Sequence, residues 1–220
     1  WFVVELIAHP SPLTLQTSHP MHTSWTEHFA SFLDDRMVEA DAAHDRAHIL
    51  RVVHSARRLA EEEGADLDVV IPAAWLHDCV VLEKDDPNRG QASRRAAEVA
   101  VQFLDRVDYP AETHDGIRHA IEAHSYSAGI RPETMEAQVV QDADRLDALG
   151  AIGIARCMMV GGALGNRLYH TDDPFCENRP PDDATYTIDH FYEKLLGLPE
   201  TMQTRAGREE AERRADVMRG

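Results

Sequence analysis

Cysteine is scarce in this 220-residue chain. Cys79, Cys157 and Cys176 are too few and too scattered for a disulfide framework, and no CxxC or Cys/His finger spacing occurs, which fits a reducing compartment. Long apolar runs are also missing: none approaches the roughly 20 residues needed to cross a bilayer, so neither a membrane span nor a membrane partner is expected. Positive charge is in deficit. With 22 Lys and Arg against 39 Asp and Glu the formal charge is −17, and the long-range field repels polyanions. That argues against duplex DNA or RNA as a partner. It does not argue against a small anionic substrate, because a bound divalent cation and a few basic side chains can reverse the potential inside one pocket. A glycine-rich phosphate loop is lacking too. Gly150, Gly153 and Gly161-Gly162 sit among Ala, Ile and Met without a GxGxxG pattern or a Walker lysine, which reads as close helix packing.

What is present points to helices. Hydrophobic residues at 43 % and charged residues at 28 % are ordinary for one globular domain of this length. Phe29, Phe32 and Leu33, then Ile49, Val52, Val53, Ala56, Leu59 and Ala60, follow a helical period. Asp66 to Asp68 form a helix-start signal, and Val69, Val70, Ala73, Ala74, Leu76 and His77 continue as a deeply buried helix. Further helices are expected over 91–107, 112–124, 135–159, 187–196 and 203–218, with loops where Pro, Gly, Asp and Asn cluster. Met158 and Met159 read as core filling, and the Arg208 to Arg214 charge run as a solvated helical face. Residues 1 to about 20 start at Trp1 and carry Pro10, Pro12 and Pro20, so residues 1–22 are read as an extension of uncertain status, and 23–220 as the domain. The expectation is a cytoplasmic, single-domain, all-α helical bundle.

Thirteen histidines are more than surface solvation requires, and histidine is the commonest metal ligand. Leu76-His77-Asp78 sets an imidazole beside a carboxylate at the end of an apolar helix, where a metal satisfies both and an unpaired charge is costly. The bland alternative is a core histidine followed by a capping aspartate. His44 and His48 lie one helical turn apart and share a face, so one of them can meet the buried helix. In Val139-Val140-Gln141-Asp142-Ala143-Asp144-Arg145-Leu146-Asp147, acids interrupt an apolar stripe, and acids on a core-facing stripe want a cation.

A histidine on one helix, a His-Asp pair on a second and an aspartate on a distant one resemble the HD-domain superfamily of metal-dependent phosphohydrolases. The likeness runs from about residue 23 onward and includes the Asp-Ala-Asp-Arg-Leu segment of small bacterial members. It implies His48, His77, Asp78 and Asp144 as ligands of one divalent ion (Mn, Mg, Fe, Co or Ni), with His44 outside the ligand set and Asp142 competing with Asp144 for the last place. Two imidazoles and two carboxylates leave open positions for a phosphate oxygen and a water, and Asp78 is the candidate catalytic group that orients that water, with a nearby histidine as the alternative.

The same resemblance puts the loop after the doublet beside the metal, so Lys84, Arg89 and Ser93 are expected to contact phosphate; a solvated loop with a helix start at Ser93 is the alternative. Lys194 is a weaker candidate. His119 and His124 are five residues apart, which separates them around a helix; His124 is a candidate for the substrate pocket, with plain structural use and a second metal as the alternatives. The implied reaction is hydrolysis of a phosphate ester or anhydride in a small molecule, preferably a nucleotide, with release of pyrophosphate or phosphate. The competing reading is a catalytically silent module that binds a nucleotide and regulates a partner. A structural zinc is disfavoured because no cysteine belongs to the constellation.

Overall fold

In the computed structural model, the described residues are 21–34, 36, 45–80 and 89–220. Nine α-helices occur among them: α1 Met21–Asp34, α2 Arg46–Glu63, α3 Leu67–Leu76, α4 Ala92–Arg106, α5 His114–His124, α6 Met135–Leu146, α7 Gly150–Leu164, α8 Asp189–Glu193 and α9 Arg205–Arg219. One isolated bridge between Arg167 and Tyr186 is the nearest approach to a strand among the described residues, so the all-α expectation holds.

Helix α2 starts where the Asp45 carboxylate accepts the His48 amide and stops at Gly64, whose φ of 74° is left-handed. Between these caps Ile49, Val52, Ala56, Leu59 and Ala60 form one buried stripe. Helix α3 is buried from Val69 to Leu76, although it contains Pro72. Proline removes the bond to the carbonyl four residues back, that of Asp68, and the Tyr109 hydroxyl donates to this carbonyl instead at 2.8 Å.

Helix α3 packs against α1, α2, α4, α5 and α6, α6 fits between α2 and α5, and α9 lies over α2, α6 and α7. Phe32 and Phe103 stack at 4.0 Å between centroids, tying α1 to α4. The C-terminal segment is anchored by Asp142, a fully buried carboxylate that accepts both backbone N–H groups of Gln203 and Thr204 and the Thr204 hydroxyl. The cation expected for Asp142 is thus replaced by hydrogen-bond donors.

Three expectations need correction. The helix expected over 135–159 is two helices that bend by 66°, because Gly150 turns left-handed at φ 70°. Met159 is 51 % exposed rather than core filling, whereas Met158 packs on the core. The Arg208 to Arg214 run is not simply solvated: Glu210 is buried and binds Arg213 and Arg214, while Arg214 also donates to the Leu146 carbonyl at 2.7 Å. Among the described residues no single helix is long and apolar enough to cross a membrane.

Candidate metal centre

Four elements bring the site together. His48 occupies the first turn of α2, His77 caps the buried end of α3 with Asp78 directly after it, Asp144 lies in the last turn of α6, and His124 ends α5. His48 Nε2 and His77 Nε2 are 3.3 Å apart. Asp78 Oδ2 lies 3.7 Å from the first and 3.5 Å from the second. Asp144 Oδ1 lies 3.5 Å and 3.8 Å from the same two nitrogens. The other oxygen of Asp78 is 3.4 Å from His124 Nε2.

Hydrogen bonds on the outer nitrogens determine which atoms face inward. His77 Nδ1 meets the Ala74 carbonyl at 2.9 Å and His124 Nδ1 meets the Ile121 carbonyl at 2.6 Å. A carbonyl only accepts, so both Nδ1 atoms donate; the neutral His77 ring then turns an Nε2 lone pair to the centre, while His124, despite the burial that works to lower its pKa, is held above the ordinary value by the Asp78 carboxylate that its Nε2 faces. His48 Nδ1 lies 2.7 Å from Asp147 Oδ2. Burial works to raise the Asp147 pKa, but His48, Arg51 and Arg156 hold it well below the usual carboxylate range. Its carboxylate is therefore also an acceptor.

Lone pairs of imidazoles and carboxylates thus converge at distances that are repulsive unless a positive charge lies among them. Left with protons alone, the cluster draws one onto His48: burial works to lower its pKa, yet Asp147, Asp78 and Asp144 raise it to about 9. His77 goes the other way, its pKa lowered chiefly by complete burial. Asp78 is held well below the ordinary range by the imidazoles of His77, His124 and His48 in spite of its burial. His48, His77 and Asp78 have ligand atoms within 4.8 Å of one another and can hold a metal ion. The donor set of nitrogen and oxygen fits a divalent metal ion.

The remaining sequence candidates are distributed unevenly. Lys84 and His44 lie outside the described residues. Arg89 opens the short 3-10 turn Arg89–Gln91, which packs beside the turn Tyr126–Ala128 just beyond His124. Ser93 is buried in the first turn of α4, and its Oγ has no hydrogen-bond partner among the described residues. Lys194 is an exposed residue after α8. His119 turns away from His124 and accepts the Glu133 amide at 2.9 Å. Asp142 lies outside the cluster, on the α9 anchor.

Sequence reasoning missed the buried group behind His48. Asp147 accepts from Arg51 Nε at 2.6 Å, from Arg51 Nη2 at 2.9 Å and from Arg156 Nη1 at 2.6 Å. A signal existed, since Arg51 is three residues after His48 and Asp147 three after Asp144, so each shares a helix face with a site residue.

Helical architecture and an inward-facing His, His-Asp and Asp cluster define a class, and the HD-domain family profile matches residues 46–149. The chain belongs to the HD-domain superfamily and has the fold of its hydrolases. It is 32 % identical over 196 residues to the Bacillus subtilis protein YpgQ, covering 87 % of each chain. The structure of YpgQ in complex with ADP matches with a TM-score of 0.66 at 35 % identity over 86 % of this chain and 91 % of that one. An HD-superfamily hydrolase from Bacillus thuringiensis matches with a TM-score of 0.64 at 34 % identity over 88 % of this chain and 92 % of its own.

Proposed function

We propose that this protein is a metal-dependent phosphohydrolase that acts on a small phosphorylated molecule, with a nucleotide as the preferred substrate class. Residues 23–220 form the catalytic domain in this reading, and residues 1–22 an extension to it. The observation that carries the proposal is the inward convergence of lone pairs from His48, His77, Asp78 and Asp144, with the outer nitrogens of both imidazoles engaged by acceptors. Such a set binds a divalent cation and leaves coordination positions open. A bound cation supplies an acidified water near neutral pH and offsets charge on the phosphoryl oxygens.

The chain's own groups divide the remaining work. Asp78 directs Oδ2 toward His48 and His77, and its Oδ1 toward His124, so it is the group assigned to orient the attacking water. His124 borders the same carboxylate and is assigned to the substrate pocket. Ser93, whose buried hydroxyl has no hydrogen-bond partner among the described residues, is assigned to phosphate together with Arg89 and Lys84. The ADP complex of the relative YpgQ supports a nucleotide as ligand.

The test is release of phosphate and pyrophosphate from nucleoside mono-, di- and triphosphates and sugar phosphates by metal-stripped protein supplied with Mn2+, Mg2+, Co2+ or Ni2+. Turnover that requires the metal and disappears in His77→Ala is the expected outcome. Stoichiometric metal and nucleotide binding without turnover on any substrate would instead identify a silent nucleotide-binding module.

A further inference from the structure

Behind the centre lies a buried carboxylate with more positive charge around it than it can neutralise. Asp147, 3 % exposed, follows the last residue of α6 and receives three donor side chains from two helices: His48 of α2, Arg51 one turn further along α2, and Arg156 of α7. Arg51 grips both oxygens, and Arg156 bonds Oδ2 and also the Asp147 carbonyl at 3.1 Å. One arginine would balance the carboxylate. Two guanidiniums on the same carboxylate hold it as an anion and leave His48 Nδ1 facing an acceptor.

We infer that Asp147, clamped by Arg51 and Arg156, is the positioning residue of the metal centre: it holds His48 with Nδ1 as donor and Nε2 as the inward lone pair. This rests on the metal-centre reading above and deepens it. Asp147 lies on the far side of the ring from the centre, so it acts through His48 and not as a ligand. Carboxylates hydrogen-bonded to a ligating imidazole orient the ring, determine its tautomer and raise its basicity, and their loss costs about 10- to 100-fold in metal affinity. Through Arg156, the device also connects α7, which contributes no ligand, to the affinity of the site.

The sharpest variant is Asp147→Asn. An amide placed with its oxygen at the Oδ2 position turns its NH2 against Arg51 Nε, donor against donor. The flipped amide turns its NH2 against the three donors at Oδ2, His48 Nδ1 among them. Either way the negative charge that polarises the imidazole is gone. The comparison variant is Asp189→Asn, another buried carboxylate paired with an arginine, Arg179, but bonded to no residue of the centre.

Mn2+ affinity of metal-stripped protein is measured by calorimetry, with folding checked by circular dichroism. Asp147→Asn is expected to bind Mn2+ at least tenfold more weakly than wild type, whereas Asp189→Asn melts earlier but keeps wild-type affinity. A folded Asp147→Asn protein with affinity within threefold of wild type overturns the positioning role and leaves the metal centre standing. Wild type that binds no Mn2+ overturns both readings. Should Asp147→Asn not fold, the wild type decides alone: nitrogen NMR of the Zn2+-loaded protein must show His48 protonated at Nδ1, and an unprotonated Nδ1 overturns the inference.

Discussion

Asp142 and Asp144 are two residues apart on α6, and replacing each by alanine separates an anchor from a group that faces the His48 and His77 nitrogens. Asp142 is fully buried and accepts the Gln203 amide at 2.9 Å, the Thr204 amide at 2.8 Å and the Thr204 hydroxyl at 2.7 Å. The Thr204 oxygen in turn caps α9 by accepting the Gly207 amide. Truncation leaves the buried Thr204 amide and the part-buried Gln203 amide without this acceptor, at about 1–3 kcal/mol each, for a loss of roughly 2–6 kcal/mol. At roughly 2–4 °C per kcal/mol for a chain of this size, Asp142→Ala should melt about 4–24 °C below wild type. Asp144 is 28 % exposed and faces the His48 and His77 nitrogens, so Asp144→Ala should keep the wild-type melting temperature without metal. The metal response should be the reverse. Mn2+ at about 100 times its Kd stabilises a binder by about 2.7 kcal/mol, roughly 5–11 °C here. Asp142→Ala should retain that upshift and Asp144→Ala should lose most of it. The assay is a circular-dichroism melt of both variants with and without Mn2+. If Asp144→Ala keeps the full upshift, or if Asp142→Ala melts within 2 °C or so of wild type, the assignment of the two aspartates is wrong.

Gly153→Ala would set a methyl 2.2 Å from the Ala148 carbonyl oxygen, and since backbone cannot step aside cheaply, a loss of about 1–3 kcal/mol should appear in denaturant unfolding. Burial works to raise the Glu210 pKa, but Arg213, Arg214 and Arg58 hold it at about 2, below its unfolded value of roughly 4.3. Its contribution is therefore complete above about pH 4.3 and disappears as pH falls toward 2, worth about 3 kcal/mol in all; Glu210→Gln should flatten the acid limb of a stability-pH profile by that amount. His77→Ala should abolish metal-dependent phosphate or pyrophosphate release while circular dichroism still reports a helical protein. Residual turnover above one per cent or so of wild type would remove His77 from the machinery.

The chain order of apolar stripes and the helix-start signal at Asp66 were enough to establish an all-α protein, because helical periodicity and capping act within a few residues. The composition of the centre was legible too: a histidine-aspartate doublet at the end of an apolar helix, and acids on an apolar stripe, are costly without a cation. Tertiary structure alone separated Asp142 from Asp144, since the partners that satisfy Asp142 lie about 60 residues away in sequence, at Gln203 and Thr204. It likewise decided that Glu210 is a buried hub, and that Arg51 and Arg156 close on one carboxylate from separate helices. These choices depend on which long-range donors reach a buried charge, and no pattern confined to one helix encodes that.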